Sequence, residues 1–90
     1  MPSKVDTNTR SKIFAALSDP TRLRLVDLLA ANDELAGAEI AKRLDISLAL
    51  CCHHLRILEE SDVIRKRKQG QTTYCSLIRR VVSSAVKHLT

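Results

Sequence analysis

Apolar positions recur at helical spacing along most of the chain and alternate in one late stretch. Between Asn8 and Leu17, Ile13, Phe14 and Leu17 form the stripe of an amphipathic helix. Ser18-Asp19 then precedes Pro20, and a capping residue ahead of a proline opens a helix because proline suits the first helical position. This second helix is predicted over residues 20–31, with Leu23, Val26, Leu29 and Ala30 on its apolar side and Arg22 and Arg24 off it; Asn32-Asp33 ends it. A short third helix is predicted over 36–44, with Ile40, Ala41 and Leu44 apolar. Asp45-Ile46-Ser47 makes a tight turn, and Ser47 is the expected N-cap of a fourth helix over 48–61. On that helix Cys51, His54, Leu55 and Leu58 recur at i, i+3, i+4, i+7 and should be buried, while Cys52, Arg56 and Glu59 face elsewhere.

Beyond Asp62, a residue that tolerates a left-handed backbone, the helical period stops. Residues 63–68 read as a strand, Gln69-Gly70 as a turn and residues 71–77 as the returning strand. A last helix is predicted over 78–89, with Val81, Val82, Ala85, Val86 and Leu89 apolar. That stripe is too apolar for a lone surface helix and is expected to pack against a partner chain. The fold class is therefore mostly α with a β-hairpin wing, a winged helix-turn-helix, with residues 1–7 a flexible tail and 8–90 the domain.

Ninety residues allow one domain with a modest core, and with Phe14 and Tyr74 the only aromatics that core must be aliphatic. A net charge of +5 points to an anionic partner, nucleic acid or an anionic membrane surface. The lack of an apolar run near ~20 residues argues against a membrane span. The polar start, Met1 to Arg10, does not read as a secretory leader, so the three cysteines are expected reduced in a cytoplasmic setting.

The helix-turn-helix narrows the partner to double-stranded operator DNA, since a helix fits a major groove about 12 Å wide. The expected DNA contacts are Ser47, Leu48, Ala49, Cys52, His53 and Arg56 from the fourth helix. From the wing they are Arg65, Arg67 and Lys68, with Gln69 and Gln71 at the tip. Arg65-Lys66-Arg67-Lys68 would displace counterions, and strand alternation suggests that half of the four reach DNA. The bland alternative is a solvated basic hairpin. No nucleophile-base-orienter set or Gly-rich phosphate loop is present, so neither an enzyme nor a bound cofactor is expected.

Ser18-Asp19-Pro20-Thr21-Arg22-Leu23-Arg24, Glu39-Ile40-Ala41-Lys42-Arg43-Leu44, His54-Leu55-Arg56-Ile57-Leu58-Glu59-Glu60 and Arg67-Lys68-Gln69-Gly70-Gln71 together resemble the ArsR/SmtB family of bacterial repressors. The resemblance runs from about Phe14 to Leu77. It implies a homodimer through the first and last helices and a repressor that leaves its operator on sensing a ligand or stress. The family's metal sites are not matched. Its Cys-x-Cys on the third helix falls within Glu34-Leu35-Ala36-Gly37-Ala38-Glu39-Ile40, and its Asp-x-His pair on the last helix meets Arg79 and Val81, leaving only His88.

The chain carries instead Cys51-Cys52, where the family pattern has Val and Ser. Adjacent residues on a helix diverge by about 100°, so metal ligands converge at i, i+3 or i+4; Cys51 with His54 is such a pair, and a thin one. Oxidation fits adjacency better: a sulfenic acid on one sulfur condenses with the neighbouring thiol. The early position in the helix, with His54 and Arg56 close by, is expected to favour the thiolate. Neighbouring Cα atoms sit about 3.8 Å apart, short of the ~4.4–6.8 Å usual for disulfides, so closure should deform the helix and release DNA. The resemblance is thus to the redox-sensing type of the family, with peroxide as oxidant and a thioredoxin-type protein as reductant. Three other readings stand beside it: a soft-metal or arsenite repressor using Cys51, Cys52 and His54; a constitutive DNA binder; and, for the residues themselves, Cys51 and His54 as core and Cys52 as Ser-like surface. Cys75 alternates with Thr73 and Leu77 and should face inward.

Overall fold

The computed structural model describes residues 6–87 and 89. It runs α1 (Thr7–Leu17), α2 (Pro20–Ala30), β1 (Leu35–Ala36), α3 (Gly37–Leu44), α4 (Leu48–Glu60), β2 (Ile64–Gln69), β3 (Thr72–Leu77) and α5 (Arg79–Lys87). Three helix starts are capped by side chains that take up otherwise orphaned amides. The Asp6 carboxylate accepts from Thr9 N at 2.7 Å, Asp19 accepts from Thr21 N and Arg22 N at 2.9 and 3.1 Å, and Ser47 Oγ accepts from Leu50 N at 3.0 Å. Two aspartates hold the chain reversals, Asp45 at φ 57° after α3 and Asp62 at φ 62° after α4. Asp6 as cap and Thr7 as first helical residue belong to the fold; residues 1–5 of the expected tail lie outside the described residues.

The strands form one antiparallel sheet in the order β1-β3-β2. Register runs from Ile64 opposite Leu77 to Gln69 opposite Thr72, which leaves Gly70-Gln71 as a two-residue turn. Gly70 at φ 62° occupies the first central position, where a type II′ turn needs glycine. The third strand, β1, pairs Leu35 with Cys75 and Ala36 with Tyr74. Two residues are too few to show alternation, so the pattern gave no strand there.

One core joins the layers. Ile13, Leu25, Leu29, Ile40, Leu58, Val63 and Ile64 are fully buried, together with the two sulfurs of Cys51 and Cys75. Each large aliphatic side chain so buried contributes roughly 1.5–3 kcal/mol. The expected stripe of α4 holds: Cys51, His54, Leu55 and Leu58 all face inward. That of α2 differs, since Leu25, Val26 and Leu29 are buried while Leu23 and Ala30 are exposed. Leucines at 23, 25, 28 and 29 fit two neighbouring ladders, and half-buried Arg22 heads the one the fold uses. The last helix is partly covered within the chain. Ala85 is buried, Val81 and Val82 pack on the core, and Arg10 Nε donates to Ala85 O at 3.1 Å, so much of the stripe is covered within the chain by α1. Val86 and Leu89 remain exposed.

Candidate nucleic-acid interface and its thiols

α3 and α4 meet at a tight turn in which Ile46 N donates back to Ala41 O at 3.0 Å, the geometry of a helix-turn-helix. α4 packs on α1, α2, α3 and β2 through its inner face. Its first turn and outer face are left to solvent: Ser47, Leu48, Ala49, Cys52, His53 and Arg56 are all exposed. The positions proposed to meet DNA on this helix therefore share an accessible side. Leu48 and Ala49 make the start of that surface aliphatic.

The wing's cations divide by ion pairing rather than by strand face. Lys66 Nζ lies 3.2 Å from Glu59 of α4. Arg67 is held by Glu34 through two bonds of 2.7 and 3.0 Å, donates to Gln69 Oε1 at 2.7 Å and stacks over Tyr74 at 4.7 Å. That guanidinium holds the Glu34 carboxyl below its usual value. Arg65 and Lys68, on opposite faces of β2, are exposed and have no ion-pair partner among the described residues. Arg67, expected from alternation to lie along DNA with Arg65, is thus already partnered by a carboxylate.

Arg22 is a positioning residue that the pattern did not single out. Its Nε donates to Ala16 O at 2.6 Å and its Nη1 to His54 Nδ1 at 3.2 Å. One side chain therefore ties the α1 C-terminus and the α2 start to the middle of α4, while Asp19 caps α2 and sits 4.0 Å from the same imidazole. Burial pushes the His54 pKa down, Arg22 and His53 push the same way, and Asp19 opposes them. The ring is a neutral core group with Nδ1 as acceptor, as a buried imidazole facing a guanidinium must be. The sequence signal was Arg22 at the head of the ladder continued by Leu25 and Leu29.

The two adjacent thiols have opposite environments. Cys52 is exposed on the rim of a cleft of about 370 Å³ between α4, the α3 start and the wing. Cys51 is fully buried, with Sγ donating to Gly37 O at 3.7 Å. Burial pushes the Cys51 thiol above its usual value, and the neighbouring Cys52 adds to the push. The expected tuning by His54 and Arg56 is not found at Cys51. His54 turns Nδ1 to Arg22, Arg56 lies on the outer face, and desolvation prevails over the helix start. Cys75 faces inward on β3, where burial pushes it up to about 11 against the opposing Lys66. Among the described residues no three His, Cys, Asp or Glu side chains converge as a metal site; His88 lies outside them. No described helix is long and apolar enough to cross a membrane.

Comparison with known proteins agrees with this architecture. A helix-turn-helix domain family matches residues 17–67, from the end of α1 into the middle of β2. The chain is 40% identical over 76 residues to the transcriptional repressor SdpR of Bacillus subtilis, covering 84% of this chain and 83% of that protein. It is 34% identical over 82 residues to a cadmium resistance transcriptional regulatory protein CadC homolog of Staphylococcus aureus, covering 87% and 68%. A crystal structure of an ArsR family transcriptional regulator superposes with a TM-score of 0.84 at 29% identity, covering 97% of this chain and 89% of that one. The homodimeric winged helix-turn-helix DNA-binding domain Mb0332 of Mycobacterium bovis, solved by NMR, shares the fold with a TM-score of 0.79 at 22% identity, covering 99% and 87%. The capped helix-turn-helix, the wing and these relatives together place the chain in the ArsR/SmtB family of DNA-binding transcriptional repressors.

Proposed function

We propose that this repressor acts as a homodimer whose operator binding is switched by a reversible Cys51–Cys52 disulfide. The observation that carries the reading is the split within the pair: Cys52 is exposed on the outer face of α4, and Cys51 is fully buried one residue away. The order of events follows from access. The Cys52 thiolate attacks a hydroperoxide, the O–O bond breaks, Cys52 becomes a sulfenic acid, and hydroxide, or the alkoxide of an organic peroxide, leaves. The Cys51 thiol then displaces the sulfenic hydroxyl, the S–S bond forms and water departs with the thiol proton. A dithiol protein returns two electrons and two protons and is itself oxidised, which resets the pair.

Burial makes the switch mechanical. Cys51 can reach Cys52 only by leaving the core and its contact with Gly37 O, by drawing Cys52 inward, or by unwinding the helix between them. Each route disturbs the element that enters the groove. Burial keeps the raised Cys51 thiol from the oxidant, so the exposed Cys52 meets the peroxide and Cys51 can attack only once the helix opens. The mass of intact protein tests the chemistry: peroxide should remove two hydrogen atoms per chain, reversibly, with the bond mapped to Cys51 and Cys52. Cys52→Ser should show no such loss, and Cys51→Ser should stop at the trappable sulfenic acid. Oxidation that leaves both thiols free to alkylation contradicts the reading.

A second reading draws on the names of relatives. Cadmium and arsenic resistance regulators are among the proteins this chain resembles. It would use Cys51, Cys52 and His54 for a soft metal or arsenite. Against it, Cys51 and His54 are each committed inward, to Gly37 O and to Arg22. Titration with cadmium or arsenite, followed by thiolate-metal absorption, separates the two.

A further inference from the structure

We infer that the first turn of α4 reads thymine 5-methyl groups in the operator's major groove, with Leu48 as the specificity-determining contact. The inference rests on DNA binding by the helix-turn-helix and is independent of the thiol switch. At about 100° per residue, Leu48, Cys52, Arg56 and Ala49 fall within one exposed arc of the helix, with Leu48 at the edge next to the buried Leu55 and facing the cleft beside the wing. The N-terminal part of a recognition helix is the part that approaches base edges. Here that part opens with two aliphatic side chains, and Leu48 is 55% exposed. Single exposed leucines are ordinary, and Leu23 on α2 is one. Leu48 differs because it stands at the exposed start of the second helix of the matched helix-turn-helix, on the same side as Arg56, where the partner is a duplex.

The chemistry of that partner limits what an aliphatic group can recognise. Guanine, cytosine and adenine present donors and acceptors in the major groove, and a leucine pressed against them strips water without replacing the bonds. Thymine alone presents a methyl. Ala49, one residue on, is short enough to let the helix approach, and Arg56, two turns further, supplies the polar contact that a wholly aliphatic face lacks. The half-site should therefore carry thymine beneath the start of α4, on the side toward the wing. Leu50, 43% exposed, lies outside the arc with Ile57 and should not take part.

The test is selection of duplexes from a randomised pool by the intact chain, followed by replacement of each selected thymine by uracil, which deletes only the methyl. Uracil at one or two steps per half-site should weaken binding about fourfold each, the factor for one buried methyl-sized group. Leu48→Ala should weaken the thymine site and abolish the difference between thymine and uracil, whereas Leu50→Ala should preserve it. Equal binding of thymine and uracil duplexes at every step overturns the inference while leaving DNA binding intact. So does a Leu48→Ala chain that keeps the thymine preference, or one whose only change is weaker self-association.

Discussion

The inner and outer faces of α4 meet opposite surroundings. The inner face carries Cys51, His54, Leu55 and Leu58 and is buried; the outer carries Leu48, Ala49, Cys52, His53 and Arg56 and is exposed. Cys51 and Cys52 are neighbours in the chain, yet the rotation between successive helical residues puts one among core side chains and the other at the solvent. The same element thus holds the domain together and presents the surface proposed to read DNA. A reaction that joins the two faces has to deform the helix, so the proposed disulfide would act directly on the surface offered to DNA.

The sharpest way to break the comparison is truncation of each face. Leu58→Ala should cost about 2–5 kcal/mol in urea unfolding, since it removes a fully buried side chain. Arg56→Ala should change stability by no more than about 0.5 kcal/mol and weaken operator binding instead. Comparable stability losses would mean the two faces are not distinct. Thiol labelling comes next. Cys52 should react with a bulky alkylating agent at least about a hundredfold faster than Cys51 or Cys75, which must wait for local opening of the fold.

His54 sharpens the inner face further. His54→Ala should cost about 1–3 kcal/mol, because Arg22 Nη1 loses its acceptor. The pH dependence has a definite sign. The folded pKa lies below the usual 6.5, so as pH falls beneath that value the unfolded chain takes up the proton first and stability drops, until the folded pKa is passed. The contribution is fully present above pH 6.5, and the unfolding free energy of His54→Gln should lose this part of the slope. The smallest effect belongs to the wing. Glu34→Gln should release Arg67 for phosphate, raise operator affinity about two- to threefold at low salt and steepen its salt dependence. Weaker binding would show that the Glu34 pair instead shapes the wing for DNA.

The stripe of α4 was legible because Cys51, His54, Leu55 and Leu58 offer only one helical ladder. The ladder of α2 was not, because its leucines fit two, and the choice between them is made by Arg22 reaching Ala16 O and His54. Alternation placed Cys75 inward, and Gly70 and Asp62 take the positive φ expected of them, but the turn falls at Gly70-Gln71, one position later than the expected Gln69-Gly70, because Gln69 still pairs with Thr72. The contacts that decide electrostatics were hidden for another reason. Arg22 meets His54 across 32 positions and Arg67 meets Glu34 across 33, and no local pattern carries such separations. The expected thiolate tuning failed at Cys51 on the same ground: sequence proximity to a helix start and a histidine says nothing of how far the sulfur is desolvated.

The account turns on whether a bond between Cys51 and Cys52 disables the reading surface. The direct measurement is operator affinity, by fluorescence anisotropy, of one preparation reduced, then oxidised with the Cys51–Cys52 bond verified, then reduced again. The account predicts a loss of at least about tenfold, equivalent to roughly 1.4 kcal/mol, and full recovery. Undiminished affinity in the verified disulfide form would contradict it.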